Sequence, residues 1–177
     1  MFAPTPASSL IHSSTLVVIG IYLTVRFSII FEFTMYVNLM YVLVGSFTIA
    51  YGSVCAFFQN DIKKLVAYST ISQIGYLICG CGFLAFEEVI LYLIIHAINK
   101  AFLFVVVGYT VHFYSSNTDM RQMSNLHIYG LDITLFIFIT FLGLTGLPYF
   151  LGFYAKEFLL YKIFLEDFFC IYIVRCM

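Results

Sequence analysis

The stretch that decides the fold runs from Val89 to Val111 and reads VILYLIIHAINKAFLFVVVGYTV. A helix of this length measures about 34 Å, which is enough to cross a hydrocarbon core of roughly 30 Å. Lys100 lies at the middle of the stretch, and His96 lies one turn earlier on the same helix face. Titratable groups at such depth are costly and mark proton or ion pathways. The stretch therefore predicts a membrane helix that carries a relay.

Two structural interpretations of the same pair stand beside the relay. In the first, Lys100 is a neutral structural residue, and in the second it is one half of a buried ion pair. A lysine near a helix end can extend its stem to the membrane interface, but the stem does not reach the interface from the midplane. The position of Lys100 favours proton or ion translocation over a purely structural polar pair.

The composition places the whole chain in a membrane. Its 177 residues are 63% hydrophobic and 10% charged, with a mean hydropathy of +1.03. Soluble proteins carry about 25% charged residues. We therefore predict an all-α polytopic membrane protein with one membrane domain over residues 1–177. The net charge of −1 does not indicate a nucleic-acid partner, and the N-terminus has no basic region typical of a cleaved signal.

The cysteines do not suggest a redox or metal centre. Cys79 and Cys81 form a C-x-C pair within an apolar run, and no second pair follows at a ligand spacing. We interpret both as small apolar residues that face protein or lipid. The sequence also has no haem, flavin or nucleotide motif, so we expect no bound cofactor and no metal site in this chain.

The hydropathy pattern predicts about five membrane helices, the fifth of them broken. The predicted spans are residues 6–26, 36–58, 64–83, 89–113 and 131–160, with 161–177 as a partial or interfacial helix. The fifth span is too long for one straight helix, and it contains Gly143, Gly146 and Pro148, which break or unwind helices. Broken helices in transporters face wet cavities. Lys156 and Glu157 follow the break, and the pattern leaves open whether they face such a cavity or the membrane interface.

Other polar side chains also fall within the predicted spans. His12 lies in the first span, either as a relay residue or as a satisfied interior histidine. The third span has a polar strip that could hold ordered water, formed by Ser69, Thr70, Ser72 and Gln73. The positive-inside rule places Lys63, Lys64 and the loop 114–130 on the cytoplasmic or matrix side.

Four blocks of the sequence together resemble a known family. They are PTPASSLIHSSTLVVIGIYLTVR at 4–26, NDIKKLVAYSTISQIGY at 60–76, HAINKAFLFVVVGYTVH at 96–112 and GLPYFLGFYAKE at 146–157. In this order they resemble the antiporter-like subunits of proton-pumping NADH:ubiquinone oxidoreductase, respiratory complex I. The related subunits of multisubunit sodium/proton antiporters share these motifs.

The resemblance implies part of an antiporter-like inverted-repeat bundle. It covers the family's eighth membrane helix to about the start of its thirteenth. The family's earlier helices and its long lateral C-terminal helix are not covered. We expect either a split gene, with separate polypeptides carrying the N-terminal and C-terminal parts, or a fragment.

The resemblance also implies roles for individual residues. His12 corresponds to the connecting position between two half-channels. Lys100 corresponds to the central lysine of the second half-channel, with His96 beside it. Lys156 corresponds to the lysine of the broken helix, which exchanges protons with the far side.

This sequence departs from the family at two positions near the relay. Tyr92 stands where the family often has a second histidine, so the relay is expected to depend more on water, on Ser72 or on Tyr92. Glu157 stands where the family more usually has an aspartate. By resemblance, the relay set is therefore His12, His96, Lys100, Lys156 and Glu157.

The resemblance predicts a proton-translocating membrane-arm subunit that performs no redox chemistry itself. NADH, FMN, iron–sulfur clusters and ubiquinone would be bound by other subunits. The expected partners are other membrane-arm subunits and lipids such as cardiolipin, in the mitochondrial inner membrane or alternatively a bacterial plasma membrane. The rival functions are a subunit of a multisubunit sodium/proton antiporter and a structural fragment without transport.

Overall fold

The computed structural model describes residues 11, 15–114, 117–123 and 131–176, with the side chains of all of them except 32, 131–133 and 166–176. Nearly all of this part of the chain is helical. The helices are α1 Leu16–Arg26, α2 Ser28–Glu32, α3 Met35–Phe57, α4 Ile62–Gly82, α5 Phe86–Phe113, α6 Leu131–Thr145 and α7 Leu151–Cys176. The predicted all-α class is confirmed.

Helices α3, α4 and α5 are long and apolar enough to cross a membrane. They coincide with the predicted spans 36–58, 64–83 and 89–113, whose ends differ from the observed ones by only a few residues. Helix α1 and residues Thr134–Thr145 of α6 form shorter apolar helices. The predicted first span also included residues 6–14, of which only Ile11 is described.

The break in the fifth predicted span lies later than expected. Helix α6 continues through Gly143 and ends at Thr145, and α7 begins at Leu151. The prediction that Gly143 is non-helical was therefore wrong, whereas Gly146 and Pro148 do lie in the break. Pro148 disfavours helical backbone at the residue before it, and its ring clashes with a helical carbonyl four residues earlier, at Leu144. Gly146 takes a left-handed conformation with φ +78°. Neither constraint reaches back to Gly143.

The separate partial helix predicted for 161–177 is instead the second half of α7. This helix runs without interruption from Leu151 to Cys176. Beyond Gly152 it contains neither glycine nor proline, and the charged residues that interrupt the apolar pattern do not interrupt a helix. The Lys162 nitrogen lies 3.6 Å from a Glu88 carboxylate oxygen and so joins α7 to the first turn of α5.

Helices α3 and α4 pack closely because glycines line their contact. A Cβ atom added at Gly45 would lie 2.8 Å from the Cys79 nitrogen, and one added at Gly52 would lie 2.8 Å from the Ser72 nitrogen. Small residues allow such close approach of membrane helices. The opposite face of α3 exposes large apolar side chains, among them Met40, Leu43, Phe47 and Tyr51.

A tight turn reverses the chain between α4 and α5. The Ala85 N–H donates to the Gly80 carbonyl at 3.0 Å, and the Leu84 N–H donates to the Cys81 carbonyl at 3.1 Å. This pair of bonds is the Schellman motif, whose left-handed position usually holds glycine. Here Leu84 occupies it, with φ +59°. The turn makes α4 and α5 antiparallel neighbours, and this positions the site.

The start of α4 is joined to the loop that follows α5. The Ile62 N–H donates to the Thr118 carbonyl at 3.1 Å, and the Met120 N–H donates to the Asn60 carbonyl at 3.0 Å. The two segments therefore lie on one side of the membrane, as the positive-inside argument required. Beside them, Lys64 forms an ion pair with Asp61 at 2.8 Å, which holds the pKa of the Asp61 carboxyl below its usual value.

Cys79 and Cys81 lie on different faces of α4. The Cys79 thiol points to the Val42 carbonyl of α3, 3.6 Å away. The Cys81 thiol lies 3.4 Å from Thr24 Oγ1 of α1. Both cysteines are buried among neighbouring helices, in agreement with their interpretation as packing residues.

Candidate functional site

Lys100 is the centre of the site, and its side chain is only 1% exposed. Its nitrogen lies 2.6 Å from Ser69 Oγ and 3.3 Å from the Val66 carbonyl, both on α4. The Ser69 hydroxyl donates to the same carbonyl at 2.8 Å, so its oxygen is available to accept from an ammonium. The ion pairs among the described side chains are Lys64–Asp61 and Lys162–Glu88. Within this part of the chain, Lys100 is therefore held by uncharged groups.

His96 lies one turn before Lys100 on α5 and is 6% exposed. Its Nε2 atom has no hydrogen-bond partner among the described residues. The side chain borders two small cavities, one towards α1 and one towards the broken pair α6 and α7. A buried, unpaired nitrogen is costly to maintain. His96 is thus a buried polar side chain with an unpaired nitrogen and a small cavity on each side.

Tyr92 lies on the same face of α5, one turn before His96. Its hydroxyl donates to Gln73 Oε1 of α4 in a short hydrogen bond. Its ring centroid lies 6.2 Å from that of His96. Tyr92, His96 and Lys100 therefore form a row with a four-residue spacing, which places them on one face of the helix.

Lys156 lies on the second turn of α7, just after the break. Its nitrogen lies 5.2 Å from the centroid of the Tyr76 ring of α4, within the range of a cation–π contact. A Cβ atom added at Gly146 would lie 3.7 Å from Lys156 Cδ, so the stem runs back along the break. The side chain is half-buried between α4 and the break. Lys156 thus lies against protein, and whether it faces a wet cavity or the membrane interface stays open.

One face of α4 contacts both lysines. Ser69, Gln73 and Tyr76 have the spacing i, i+4, i+7, which aligns them along a helix. They contact Lys100, Tyr92 and Lys156 in that order. We call these three residues the α4 polar stripe. The stripe extends for about 10 Å along the helix axis.

The remaining predicted site residues lie elsewhere. Ser72 is buried, donates to the Ser69 carbonyl at 2.9 Å and lies against Gly52 of α3. Glu157 is exposed, on a different face of α7 from the half-buried Lys156. His12 lies outside the described residues. Within the residues that the structure describes, no group of three or more His, Cys, Asp or Glu side chains could hold a metal ion.

Four residues of the site were not in the predicted set. Ser69, Gln73 and Tyr76 form the polar stripe, and Asn99 borders a cavity beside His96. The signal for the first two was present, because the polar strip of the third span repeats at the four-residue spacing of Tyr92, His96 and Lys100. Which face of the strip meets α5 depends on the register between two antiparallel helices, and a single sequence does not fix that register.

Residues 1–176 match the family described as NADH:quinone oxidoreductase/Mrp antiporter, TM. The chain is 52% identical over 157 residues to NADH-ubiquinone oxidoreductase chain 5 of Nyctotherus ovalis, covering 89% of this chain and 8% of the relative. It is 43% identical to that of Paramecium tetraurelia, covering 100% of this chain and 32% of the relative.

A third relative is NADH-ubiquinone oxidoreductase chain 5 of Sus scrofa, 40% identical over 89% of this chain and 26% of the relative. The chain thus spans a third or less of these relatives. Among solved structures, it resembles a chain of the Mrp complex from Dietzia sp. DQ12-45-1b, with a TM-score of 0.80 and 34% identity over 90% of this chain and 18% of that one. With its broken helix and its buried lysine between antiparallel helices, the chain belongs to the transmembrane family of NADH:quinone oxidoreductases and Mrp antiporters.

Proposed function

We propose that this chain carries a proton half-channel of the membrane arm of an NADH:ubiquinone oxidoreductase. In this role Lys100 gains and loses a proton at mid-membrane, and Lys156 exchanges protons beyond the break. The complex as a whole would act as a proton-translocating oxidoreductase. The similarity to chain 5 of several such oxidoreductases supports this assignment.

The observation that carries the proposal is the burial of Lys100 among uncharged partners. A lysine in a buried ion pair would be held charged by its carboxylate, because separating the pair leaves an uncompensated buried charge. Lys100 instead contacts a hydroxyl and a carbonyl. Such partners can hydrogen-bond an ammonium, and the hydroxyl can also donate to a neutral amine. The environment therefore accommodates both protonation states.

The α4 polar stripe supports a route from Lys100 to Lys156. Ser69 contacts the first lysine and Tyr76 contacts the second, with Gln73 and its partner Tyr92 between them. Among the described residues no direct hydrogen bond joins the Ser69–Lys100 pair to the Gln73–Tyr92 pair, so the proposed route needs water molecules to complete it. A proton that moves along this row changes the electrostatic energy of each lysine, which couples their occupancy.

The proposed test replaces Lys100 in the assembled complex. We expect Lys100→Ala to leave the complex assembled and to reduce the protons pumped per electron pair. Lys100→Arg should restore little of the loss, because guanidinium does not deprotonate in the working pH range. Lys64→Ala is the matched control, since Lys64 is exposed at the membrane boundary. Full pumping by an assembled Lys100→Ala complex would overturn the proposal and favour a structural role.

A second function is suggested by the solved relative. That relative is a Mrp complex, so a cation/proton antiporter subunit that works without NADH oxidation is the alternative. Purification of the native assembly separates the two. Flavin and iron–sulfur subunits in the same particle support the oxidoreductase, and their absence from an intact particle supports the antiporter.

We propose that NADH, FMN, iron–sulfur clusters and ubiquinone are bound by other subunits. Other membrane-arm subunits and lipids such as cardiolipin would cover the exposed apolar face of α3, which includes Phe47 and Tyr51. The relatives are eukaryotic, and this supports a location in the mitochondrial inner membrane.

A further inference from the structure

The two cavities beside His96 differ in their polar lining. Each has a volume of about 10 Å³, close to the minimum that holds one water molecule. The cavity towards the broken pair is bordered by the side chains of His96, Asn99 and Tyr92, and by Gly143 and Gly152. We call it the break cavity. The cavity towards α1 is bordered by His96 and otherwise by apolar side chains. We call it the apolar cavity.

The break cavity is shaped by two glycines at the junction of α6 and α7. A Cβ atom added at Gly152 would collide with the Gly143 carbonyl oxygen, so only glycine fits there. A Cβ atom added at Gly143 would lie 3.5 Å from Asn99 Nδ2. The Asn99 amide therefore lies directly against this junction. It is three residues after His96, which places both side chains on adjoining parts of one helix face.

We propose that Asn99 is a positioning residue that holds one water molecule in the break cavity, hydrogen-bonded to His96 Nε2. A buried water needs two to four polar partners. The break cavity is lined by His96, whose Nε2 atom has no hydrogen-bond partner among the described residues, and by Asn99, whose amide can both donate and accept. The apolar cavity offers only His96, so we assign no water to it.

This water would connect the relay to the break. His96 lies between Lys100 and the break cavity, and the water gives its Nε2 atom a neighbour that can pass a proton towards α7. The role of the water rests on the proposed function, whereas its presence does not. The two statements therefore need separate measurements.

The presence of the water is tested by electron cryo-microscopy of the assembled complex, at a resolution where ordered waters are visible. We expect a density peak within hydrogen-bonding distance of both His96 Nε2 and Asn99 in the break cavity, and none in the apolar cavity. The Asn99→Leu complex should lack the peak. No peak in the unaltered complex, or a peak that persists in Asn99→Leu, would overturn the inference, whatever the outcome for Lys100→Ala.

The role of the water is tested by pumping. We expect Asn99→Leu to lower the rate of proton pumping by about threefold to tenfold, the rate effect of one lost hydrogen bond, and to change the solvent isotope effect. Asn99→Ser should retain most of the pumping, because a hydroxyl can bind the same water. Asn38→Leu is the control: it removes an amide bound to the Phe31 carbonyl, far from His96 along the chain. Full pumping and an unchanged isotope effect in Asn99→Leu would overturn the positioning role, even if Lys100→Ala abolished pumping.

Discussion

The Lys100 nitrogen lies 2.6 Å from the Ser69 hydroxyl oxygen, across the contact between α5 and α4. This hydroxyl is the only side-chain hydrogen-bond partner of Lys100 among the described residues. The other partner is the backbone carbonyl of Val66, which no side-chain substitution removes. Substitution of Ser69 therefore probes the environment of Lys100 without altering the lysine itself.

We expect Ser69→Ala to reduce proton pumping while the complex assembles. Loss of the hydroxyl leaves a buried N–H group without a side-chain partner, at a cost of about 1–3 kcal/mol, more if the nitrogen is charged. Ser69→Thr should keep most of the activity, because it keeps the hydroxyl. Ser53→Ala removes an exposed hydroxyl from α3 and serves as the control. Pumping by Ser69→Ala at the control's level would show that the contact does not matter to transport.

The contact between Tyr92 and Gln73 can be measured by a double-mutant cycle. Tyr92→Phe, Gln73→Leu and the double variant should show a coupling of about 0.5–1.5 kcal/mol in the stability of the assembled complex. Gln73→Leu leaves the buried Tyr92 hydroxyl unpaired and Tyr92→Phe leaves the half-buried Gln73 amide unpaired, whereas the double change removes both groups. Tyr109→Phe, at an exposed position on the same helix, should have no effect. Additive effects of the two single changes would contradict the contact.

The polar strip shows how far the sequence could predict the site. The membrane class, the three long spans and a break near Gly146 followed from hydropathy and from the residues that break helices. The burial of His96 and Lys100 on one face of α5 followed from their spacing within an apolar span, and their relay role stays a prediction. The sequence predicts Ser72 as a supporting hydroxyl of the relay, whereas Ser69 is the hydroxyl that contacts Lys100, because Ser72 packs against Gly52 of α3. The charged residues of α7 suggested that the membrane span ends there. A charged side chain makes burial in lipid costly, but it does not end the helix itself.

The close packing of α3 on α4 predicts a sharp difference between two glycines. Gly52→Ala should impair assembly, because the added methyl group would lie 2.8 Å from the Ser72 backbone nitrogen. Overpacking of this kind costs about 1–3 kcal/mol. Gly20→Ala should be tolerated, since nothing in the described part of the chain lies within 4 Å of the added atom. The yield of assembled complex on native gels measures both. Equal yields would argue against tight packing at Gly52.

The turn between α4 and α5 offers a stabilising substitution. Leu84→Gly should stabilise the complex against heating by about 1 kcal/mol, because glycine adopts a positive φ without the steric cost that leucine bears. Leu84→Ala keeps that cost and should not stabilise. Thermal release of the subunit from the purified complex is the measurement. A lower release temperature for Leu84→Gly would mean that contacts of the leucine side chain outweigh the strain.

The direction of the α4 polar stripe has a consequence for energy conversion. Helix α4 crosses the membrane, so the stripe from Ser69 to Tyr76 covers about 10 Å of depth, roughly a third of the hydrocarbon core. Moving one elementary charge across the whole membrane involves about 2.3 kcal/mol per 100 mV. Charge transfer along the stripe would therefore sense about 0.8 kcal/mol per 100 mV. The step between the two lysines would then be electrogenic, and the membrane voltage itself would set how the proton is shared between them.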